Sequence, residues 1–333
     1  MAMKSRLLIG ILISATLLGL LLWRISPAQL GQAFSTANQT ALLLTTALHL
    51  LVLCLKVGRW KVVLSALPAP PKQVPWLPFD ALFLGYFGNY ALPAKLGELG
   101  RSLLYARRSG RSLPEVLATI LVERFIDALV LISAFLILAT TSLLPERLPN
   151  WVQLSLYLAA AGTLAGLLAL FLARRFLSAK NLRATGSEQE SGLLRRVLQL
   201  LSRFGAGLAI LERPRVAARA LIWTLLIWAV EALAVWICLH AFGASLPISA
   251  AILVMVVTSF AIAAPSAPGG VGVHQWVTVL LLAPYGVAEP SAAAASLVLT
   301  VAVILWVVPL GLFGLWRQGY STAQLRADYD ATH

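Results

Sequence analysis

Long apolar runs separated by short polar segments dominate this chain of 333 residues. A helix needs roughly 20 apolar residues to cross a bilayer, and several of the runs reach that length. They lie at about 7–23, 39–66, 113–143, 151–173, 220–242 and 291–316. The pattern predicts an all-α polytopic membrane protein with about six full spans.

Two further apolar stretches are broken in the middle. The first, 79–110, starts with an apolar part too short to span, breaks near Pro93 and continues as a charged half-helix. The second, 247–284, is interrupted by the segment 264–275. Irregular backbone at membrane depth is tolerated only where it lines a cavity or is buried in protein. Each stretch is therefore predicted to be a re-entrant helical hairpin.

The distribution of charge predicts an orientation. The net charge is +13, although only 12% of the residues are charged. If the N-terminus is inside, all but three of the 26 Lys and Arg residues fall in cytoplasmic segments; Arg24 and Arg147 fall outside, and Arg124 lies within a span. This bias follows the positive-inside rule. It predicts a multi-pass protein of the cytoplasmic membrane with both termini in the cytoplasm, and it explains the basic composition without nucleic acid.

The predicted topology contains a symmetry. The halves at about 1–145 and 150–316 each hold two spans, a hairpin and a span, in opposite orientations. Inverted repeats with interrupted helices that meet near the midplane are a transporter architecture. We therefore interpret the chain as an inverted repeat, although no residue-level repeat is visible.

The chain is predicted to form a single integral membrane domain over 1–320, followed by a polar tail at 321–333. A cytoplasmic linker at 174–219 separates the fourth and fifth spans. Within it, 192–211 places apolar side chains on one helical face and basic ones on the other. This segment is either a helix that lies on the membrane surface or one that packs on the domain.

The first break carries a cluster of polar and charged residues. The candidate site residues are Asn89, Pro93, Lys95, Glu98 and Arg101. Glu98 and Arg101 share a helix face and can pair. Two interpretations stay open: an interfacial cap with a structural ion pair, or one wall of a site for a lipid headgroup.

The third predicted span contains ionisable residues. Glu123 and Asp127 lie one turn apart on one face, next to Arg124. Charges at membrane depth are costly and are usually paired or functional. A structural network, with Arg124 paired to Glu98 or Arg101 paired to Asp127, and a role in substrate binding are both compatible with this pattern.

The second break is rich in glycine. Its candidate site residues are Pro268, Gly269, Gly270, Gly272, His274 and Gln275. Successive glycines allow the backbone to form an anion-binding concavity, and a helix that starts there would direct its positive end at a phosphate. The alternative is a tight re-entrant turn in which only glycine permits close approach. Glu231, in the middle of 220–242, is a further candidate that is expected to face the protein interior.

Catalytic sequence motifs are absent. The chain has no GxxxxGK[ST] loop, no HExxH and no GxSxG. We therefore predict that the protein is not an enzyme and uses no cofactor or metal. A less favoured alternative is an intramembrane enzyme in which Glu123 and Asp127 serve as acid and base.

Three motifs in order resemble a known family. NYALPAKLGELGR, VERFID and PSAPGGVGVHQ look like successive elements of the flippase-like membrane domain of lysylphosphatidylglycerol synthetases, which has uncharacterised stand-alone members. The resemblance covers about 5–320. It implies translocation of a lipid to the outer leaflet without synthesis, since the soluble domain that transfers the aminoacyl group in the fused synthetases does not follow.

The resemblance has two departures. Lys95 stands where the family more often has arginine, so that the charge is kept but the planar fork is lost. Gln275 stands where the family usually has glutamate, which puts in doubt a role for that carboxylate. In addition, Pro265 and Pro268 are separated by one extra residue.

The leading hypothesis is a flippase for a phospholipid or a lipid-linked headgroup. An anionic phospholipid or a polyprenyl-linked lipid is the expected substrate, bound where the three motifs converge around a polar hollow. Lys95, Arg101 and Arg124 would bind its phosphate. The alternative is a non-transporting scaffold or regulator whose partner is a lipid synthase or a glycosyltransferase. The sequence gives no prediction of the oligomeric state.

Overall fold

The computed structural model describes residues 12, 14–21, 23–91, 96–141, 150–176, 204–262 and 267–319. All regular elements in these ranges are helices, which confirms the all-α membrane fold. They are α1 (Pro27–Thr36), α2 (Gln39–Leu64), α3 (Leu77–Ala91), α4 (Leu96–Ser109), α5 (Leu113–Thr140), α6 (Asn150–Phe176), α7 (Pro214–Ala241), α8 (Ile248–Ala261), α9 (Val273–Leu282) and α10 (Glu289–Arg317). Short 3-10 turns lie at Ala209–Glu212, Pro268–Gly270 and Ala283–Tyr285.

Within the described ranges, three helices are long and apolar enough to cross a membrane. These are α2, α7 and α10, and shorter apolar helices lie at Tyr157–Gly166 and in α8. The first predicted span, about 7–23, lies partly outside the described residues. The number of six full spans and the re-entrant character of the two hairpins therefore stay predictions.

Several predicted features fall outside the described residues. They are the tail at 321–333, most of the linker at 174–219 and of its amphipathic segment 192–211, and the site residues Pro93 and Lys95. Pro265 also lies there.

Local sequence explains where the helices begin. The Ser26 hydroxyl accepts a hydrogen bond from the Gln29 backbone, while the Gln29 side chain accepts one from the Ser26 backbone, and this capping box starts α1. Asn38 caps α2 through Ala41 N at 3.1 Å. Prolines stand in the first turn of α1, α5, α7 and α10, where a missing N–H costs nothing.

The helices pack into two apolar cores, one beside each broken stretch. One core joins α8, α9 and the first half of α10 to residues Leu21 and Ile25 of the N-terminal helical segment. The other joins α2, α3 and α4 to the start of α7. α2 and α7 make the most extensive helix pair and connect the two cores.

Glycines allow α3 and α4 to pack with their backbones almost in contact. A Cβ on Gly88 would lie 2.7 Å from the Gly97 Cα, and one on Gly97 would overlap the carbonyl oxygen of Gly85. The first broken stretch is therefore a tight helical pair that larger residues at these positions would force apart.

Polar contacts tie the two ends of the bundle. At one end Arg24 pairs with Glu289 at 2.6 Å, and at the other Arg317 pairs with Asp80. Gln318 Nε2 also donates to Asp80 Oδ2 at 2.6 Å. Each contact joins residues that the charge distribution places on the same side of the membrane. The orientation of the termini and the type of membrane stay predictions.

Candidate functional site

A buried network of ion pairs lies where α2, α4, α5 and α7 meet. At its centre, the Glu123 carboxylate accepts hydrogen bonds from Arg59 Nε at 3.2 Å and from an Arg101 terminal nitrogen at 2.9 Å. All three residues are 3% exposed or less. A carboxylate that is shared by two guanidinium groups compensates the desolvation of all three charges.

Asp127 extends the network by one turn of α5. Its two oxygens accept from both terminal nitrogens of Arg59, one of them at 3.1 Å, and Trp228 Nε1 donates to it at 3.0 Å. Arg59 also donates to the Thr224 hydroxyl at 3.2 Å. Side chains of α2 and α7 therefore hold Asp127 in place from two sides.

An aromatic ring completes the surroundings of Arg101. The guanidinium carbon lies 3.7 Å from the centroid of the Trp60 ring, in cation–π geometry. Trp60 Nε1 in turn donates to the Thr119 hydroxyl at 3.2 Å. Arg101 is thus held inside the protein by Glu123 on one side and by Trp60 on the other.

The network reaches the surface at Arg124 and Glu98. Arg124 pairs with Glu98 at 2.7 Å and with Asp127 at 3.7 Å. Its side chain is 41% exposed and that of Glu98 is 26% exposed. The predicted Arg124–Glu98 pair is present. The predicted alternative for Arg101 is wrong, because Arg101 pairs with Glu123 while Arg59 takes Asp127.

Arg59 is a network residue that the sequence motifs do not reveal. Its place near the end of an apolar run predicts a side chain that extends to the lipid headgroups. The structure contradicts this prediction, since Arg59 is 3% exposed and binds both acids of α5. The sequence offers one signal, since the two motifs place three acids, Glu98, Glu123 and Asp127, against two arginines, Arg101 and Arg124.

The network is electrically balanced. Three carboxylates face three guanidinium groups, and each pair joins different helices or successive turns of α5. Balanced charges support the structural interpretation of the first two motifs. Among the six network residues, Arg124 and Glu98 have the most exposed side chains.

The glycine turn of the second break lies against the first break. Gly269, Gly270 and Gly272 all have positive φ, which favours glycine. A Cβ on Gly269 would lie 2.5 Å from the Tyr90 ring, which follows Asn89 at the end of α3. We call these two regions, Asn89–Ala91 and Pro268–His274, the hairpin tips. The tips are in contact, so the sequence motifs 89–101 and 265–275 do converge.

Backbone donors in the glycine turn are already used. Ala267 N donates to the Ser14 hydroxyl at 2.9 Å, and Gly270 N donates to Ala267 O at 2.9 Å. Gly272 N donates to Gln275 Oε1 at 2.7 Å. These bonds favour the tight-turn interpretation over an anion-binding concavity at those three positions.

Gln275 has a structural position in which both ends of its amide are bonded. Besides accepting from Gly272, it donates through Nε2 to the Thr300 hydroxyl of α10 at 3.0 Å. The residue is completely buried. An amide suits this position because it needs one donor and one acceptor, whereas an ionised carboxylate offers acceptors only.

Several predicted site residues hold buried polar atoms without a hydrogen-bond partner among the described residues. They are Asn89 Oδ1, Arg101 Nε, Arg124 Nε and His274 Nδ1. Unpaired buried polar groups are rare in folded proteins, and each calls for a functional or structural reason. These four atoms belong to all three motifs that the sequence singled out. Within the same part of the chain, no group of His, Cys, Asp and Glu is arranged to hold a metal ion.

Comparisons with known proteins agree with the motifs. A family model described as the lysylphosphatidylglycerol synthase TM region matches residues 7–311. Two UPF0104 membrane proteins of Methanothermobacter thermautotrophicus are similar to the chain. One is 23% identical over 321 residues, which cover 92% of this chain and 93% of that protein. The other is 26% identical over 291 residues, which cover 81% of each.

Proposed function

Because this chain belongs to the family of the lysylphosphatidylglycerol synthase TM region, we propose that it moves a phospholipid or a lipid-linked headgroup between the membrane leaflets. The proposal assigns the protein transport and no catalytic step. The expected substrate is an anionic phospholipid or a polyprenyl-linked lipid, since both carry a phosphate in the headgroup.

The observation that carries the proposal is the contact between the two hairpin tips, with unpaired polar atoms beside it. Gly269 lies on the Tyr90 ring, and Asn89 and His274 each bury an unpaired atom in the tips, counting the described residues as partners. Hydrocarbon does not satisfy such atoms, and both are closed off from solvent in this arrangement, so they would gain partners only when the tips separate. A lipid headgroup that crosses between the tips would supply these partners.

Arg124 and Glu98 are the residues we assign to headgroup contact. Both are partly exposed, and Arg124 Nε has no hydrogen-bond partner among the described residues. Arginine suits a phosphate because its planar fork of donors matches the oxygen geometry. Glu98 would hold the guanidinium in place when no headgroup is bound, or contact a cationic or hydroxylated part of the headgroup.

Arg101, Glu123 and Asp127 take a positioning role in this proposal. They are 6% exposed or less and are engaged in the balanced network, so a phosphate would have to displace an existing ion pair to reach them. Their function is to fix α4 and α5 so that Arg124 faces the first hairpin. Acyl chains would remain in the surrounding lipid.

Leaflet exchange in proteoliposomes tests the proposal. Vesicles of phosphatidylethanolamine and phosphatidylglycerol would carry a trace of fluorescent phosphatidylglycerol or of a fluorescent polyprenyl phosphate, with quenching of the outer leaflet as the readout. Purified protein should accelerate exchange of at least one probe over protein-free vesicles. Arg124→Gln should reduce that rate about tenfold, which corresponds to the loss of one charge-assisted contact.

Arg24→Gln is the matched control. Arg24 is also an exposed arginine paired with a glutamate, but neither residue belongs to a hairpin tip or to the buried ion-pair network. This variant should keep the exchange rate of the wild type. Folded wild-type protein that accelerates neither probe would contradict the proposal.

The balanced network favours a second candidate, a membrane scaffold for a lipid synthase or a glycosyltransferase. Mutual neutralisation of three acids and three arginines is what a purely structural network requires. A scaffold would bind its partner enzyme without accelerating exchange, and Arg124→Gln would leave that binding unchanged. Co-purification of the variant and of the wild type, followed by the exchange assay, separates the two functions.

A further inference from the structure

A second polar cluster lies in the middle of the bundle and contains an acid without an arginine. Glu231, at the centre of α7, faces the His49 ring of α2, with Oε1 3.6 Å from Nε2. The His49 side chain is 3% exposed and that of Glu231 is 20% exposed. The acids with a described arginine partner are Asp80, Glu98, Glu115, Glu123, Asp127 and Glu289.

The hydrogen bonds of His49 determine how many protons this pair needs. His49 Nδ1 lies 2.8 Å from the carbonyl oxygen of Thr45. A carbonyl only accepts, so Nδ1 carries a hydrogen and the Nε2 of a neutral ring presents a lone pair. That lone pair would face a carboxylate, which also only accepts. The contact becomes favourable when one proton is added, on either Nε2 or the carboxyl group.

Proton binding changes the net charge of the pair. With the proton, the pair is an imidazolium–carboxylate or an imidazole–carboxylic acid, and either is neutral. Without it, the pair carries one negative charge inside an apolar bundle, which is costly. The His49 ring is buried at this contact, as expected for the neutral pair.

No arginine or lysine from the hairpins or from α10 supplies a counter-charge at this position in the described part of the chain. Facing Glu231 from the hairpin tips are the ring of His274 on α9 and the hydroxyl of Tyr90 on α3, both close enough to interact with it electrostatically. α8 contains no titratable residue, and α10 has such residues only at its two ends, Glu289 and Arg317, which are paired elsewhere.

The remaining neighbours of α7 are also occupied. The charges of α5 that approach α7 are Glu123, Arg124 and Asp127, and they belong to the ion-pair network. Lys56 of α2 lies beside the same network, close enough to act on Asp127. Glu212 precedes the first turn of α7, and it also has a partner. Among the described residues, His49 is therefore the ion-pair partner of Glu231, and it is cationic only when it carries the added proton.

We infer that Glu231 and His49 form a proton-binding site, within electrostatic range of His274 in the second tip, that couples proton movement to lipid movement. This inference rests on the proposed function. A proton taken from water on one side of the membrane would neutralise the pair and allow the tips to close. Its release to the other side would restore the negative charge and draw polar groups or water between Tyr90 and His274, which separates the tips.

His274 connects the pair to the turn. It opens α9 directly after the glycine turn, and its Nδ1 is buried with no hydrogen-bond partner in the described ranges. Its ring lies within electrostatic range of Glu231 and His49, so the net charge of that pair acts on it. His274 is thus the group in the second tip that would sense the protonation of Glu231.

The test combines a transport readout with a direct measurement of the proton. Proteoliposomes with fluorescent phosphatidylglycerol, and others with the fluorescent polyprenyl phosphate, would be assayed with and without a pH difference across the membrane. Infrared difference spectra of the same vesicles would be recorded between about pH 5 and pH 8, the range in which histidine changes charge. The variants are Glu231→Gln and His49→Gln.

Two matched controls exist in the chain. Glu289→Gln makes the same chemical change in an exposed acid that pairs with Arg24. His240→Gln does so for a histidine whose Nδ1 also bonds the carbonyl four residues earlier, that of Trp236 at 2.9 Å, without a described carboxylate partner.

We expect the gradient to change the wild-type exchange rate several-fold, in the direction set by its sign. Glu231→Gln should lose this response and also lose an infrared carboxyl signal that titrates in the wild type, whereas both controls keep them. A titrating signal and a gradient response that survive in Glu231→Gln would overturn the inference. Equal exchange with and without a gradient would overturn it while sparing the proposed function. If neither lipid exchanges, the proposed function fails and the coupling fails with it, while the infrared signal still decides whether the pair binds a proton.

Discussion

The two broken stretches stabilise their irregular backbone by different kinds of contact. The first, α3 and α4, joins its surroundings through charge, since Glu98 and Arg101 reach into a network of six ionised side chains. The second, α8 and α9, has no Asp, Glu, Lys or Arg anywhere in 248–282 and relies on glycines and one buried amide. Irregular backbone at membrane depth can therefore be stabilised either by ion pairs between helices or by close packing of neutral groups.

This difference indicates which of the two broken stretches we expect to be rigid and which we expect to move. A balanced buried network resists displacement, because removing one partner leaves the others as uncompensated charges. A neutral turn has no such penalty, and its His274 lies within electrostatic range of Glu231, an acid without a described arginine partner. We therefore expect the first stretch to be the fixed wall and the second the movable one.

The largest loss of stability is expected from a change at Glu123, at the centre of the ion-pair network that holds the first broken stretch. Glu123→Ala removes the carboxylate shared by Arg59 and Arg101 and leaves both guanidinium groups buried without it. Breaking a buried pair from one side costs about 3–5 kcal/mol. Thermal unfolding in detergent, followed by tryptophan fluorescence, should show a large loss of stability.

Glu289→Ala is the control for this variant, because Glu289 makes an ion pair with Arg24 at an exposed position. Its loss should cost about 0–1 kcal/mol. If the two variants unfold at the same temperature, the network does not stabilise the first stretch.

The next largest loss of stability is expected at Gly272, in the glycine turn of the second broken stretch. Alanine there must adopt a positive φ and would place its Cβ against the carbonyl of Ser14. Gly286 also has a positive φ, but a Cβ added there would meet no atom within 4 Å. Gly286→Ala should cost about 1–2 kcal/mol from backbone strain alone. Gly272→Ala should cost roughly 1–3 kcal/mol more from overpacking, measured by the same unfolding assay.

An equal loss at both positions would show that Ser14 gives way freely. The N-terminal helical segment would then not hold the glycine turn in place, and the contrast between a packed neutral side and a paired charged side would weaken.

A smaller effect is expected from Gln275→Glu, which introduces the acid usual in the family. The carboxylate can still accept from Gly272 N, but it cannot donate to the Thr300 hydroxyl, which itself donates to Ser296 O. A lost buried hydrogen bond with an unsatisfied partner costs about 1–3 kcal/mol. Gln32→Glu, at an exposed position of α1, is the control that should leave the unfolding temperature unchanged. A variant Gln275→Glu as stable as wild type would mean that the new carboxyl group is protonated and donates to Thr300, or that water or a cation enters the turn.

Much of the fold could be predicted from apolar runs, because hydrocarbon allows few alternatives to a helix. The observed bounds of α2, α5 and α7 follow the predicted runs within a few residues, except that α7 begins earlier, at Pro214. Proline favours the first turn of a helix, so Pro214 marks this start, which the apolar pattern alone does not show. The Glu98–Arg124 pair was also predictable, since two opposite charges at membrane depth need each other.

Residues that are defined by tertiary partners could not be predicted. Arg59 and His49 lie on a helix whose sequence shows only an apolar run with polar interruptions, and neither has a motif. Their roles follow from the packing of α2 on α7 and from contacts with α5, which an isolated helix does not specify. The same holds for Gln275, where the need for an amide depends on Thr300 of another helix.

The smallest effect on stability is expected at Arg124, at the exposed edge of the ion-pair network. This effect distinguishes the edge from the buried centre at Glu123. Arg124→Gln removes an ion pair with Glu98 whose side chains are 41% and 26% exposed, and the weaker contact with Asp127. In the proposed polar hollow, water would screen a partly exposed pair, which then contributes about 0–1 kcal/mol, and Asp127 keeps Arg59. The unfolding temperature should therefore fall slightly, far less than in Glu123→Ala, although lipid exchange falls strongly. A loss of stability as large as that of Glu123→Ala would mean that Arg124 belongs to the wall itself, and the headgroup contact would have to be assigned to another residue.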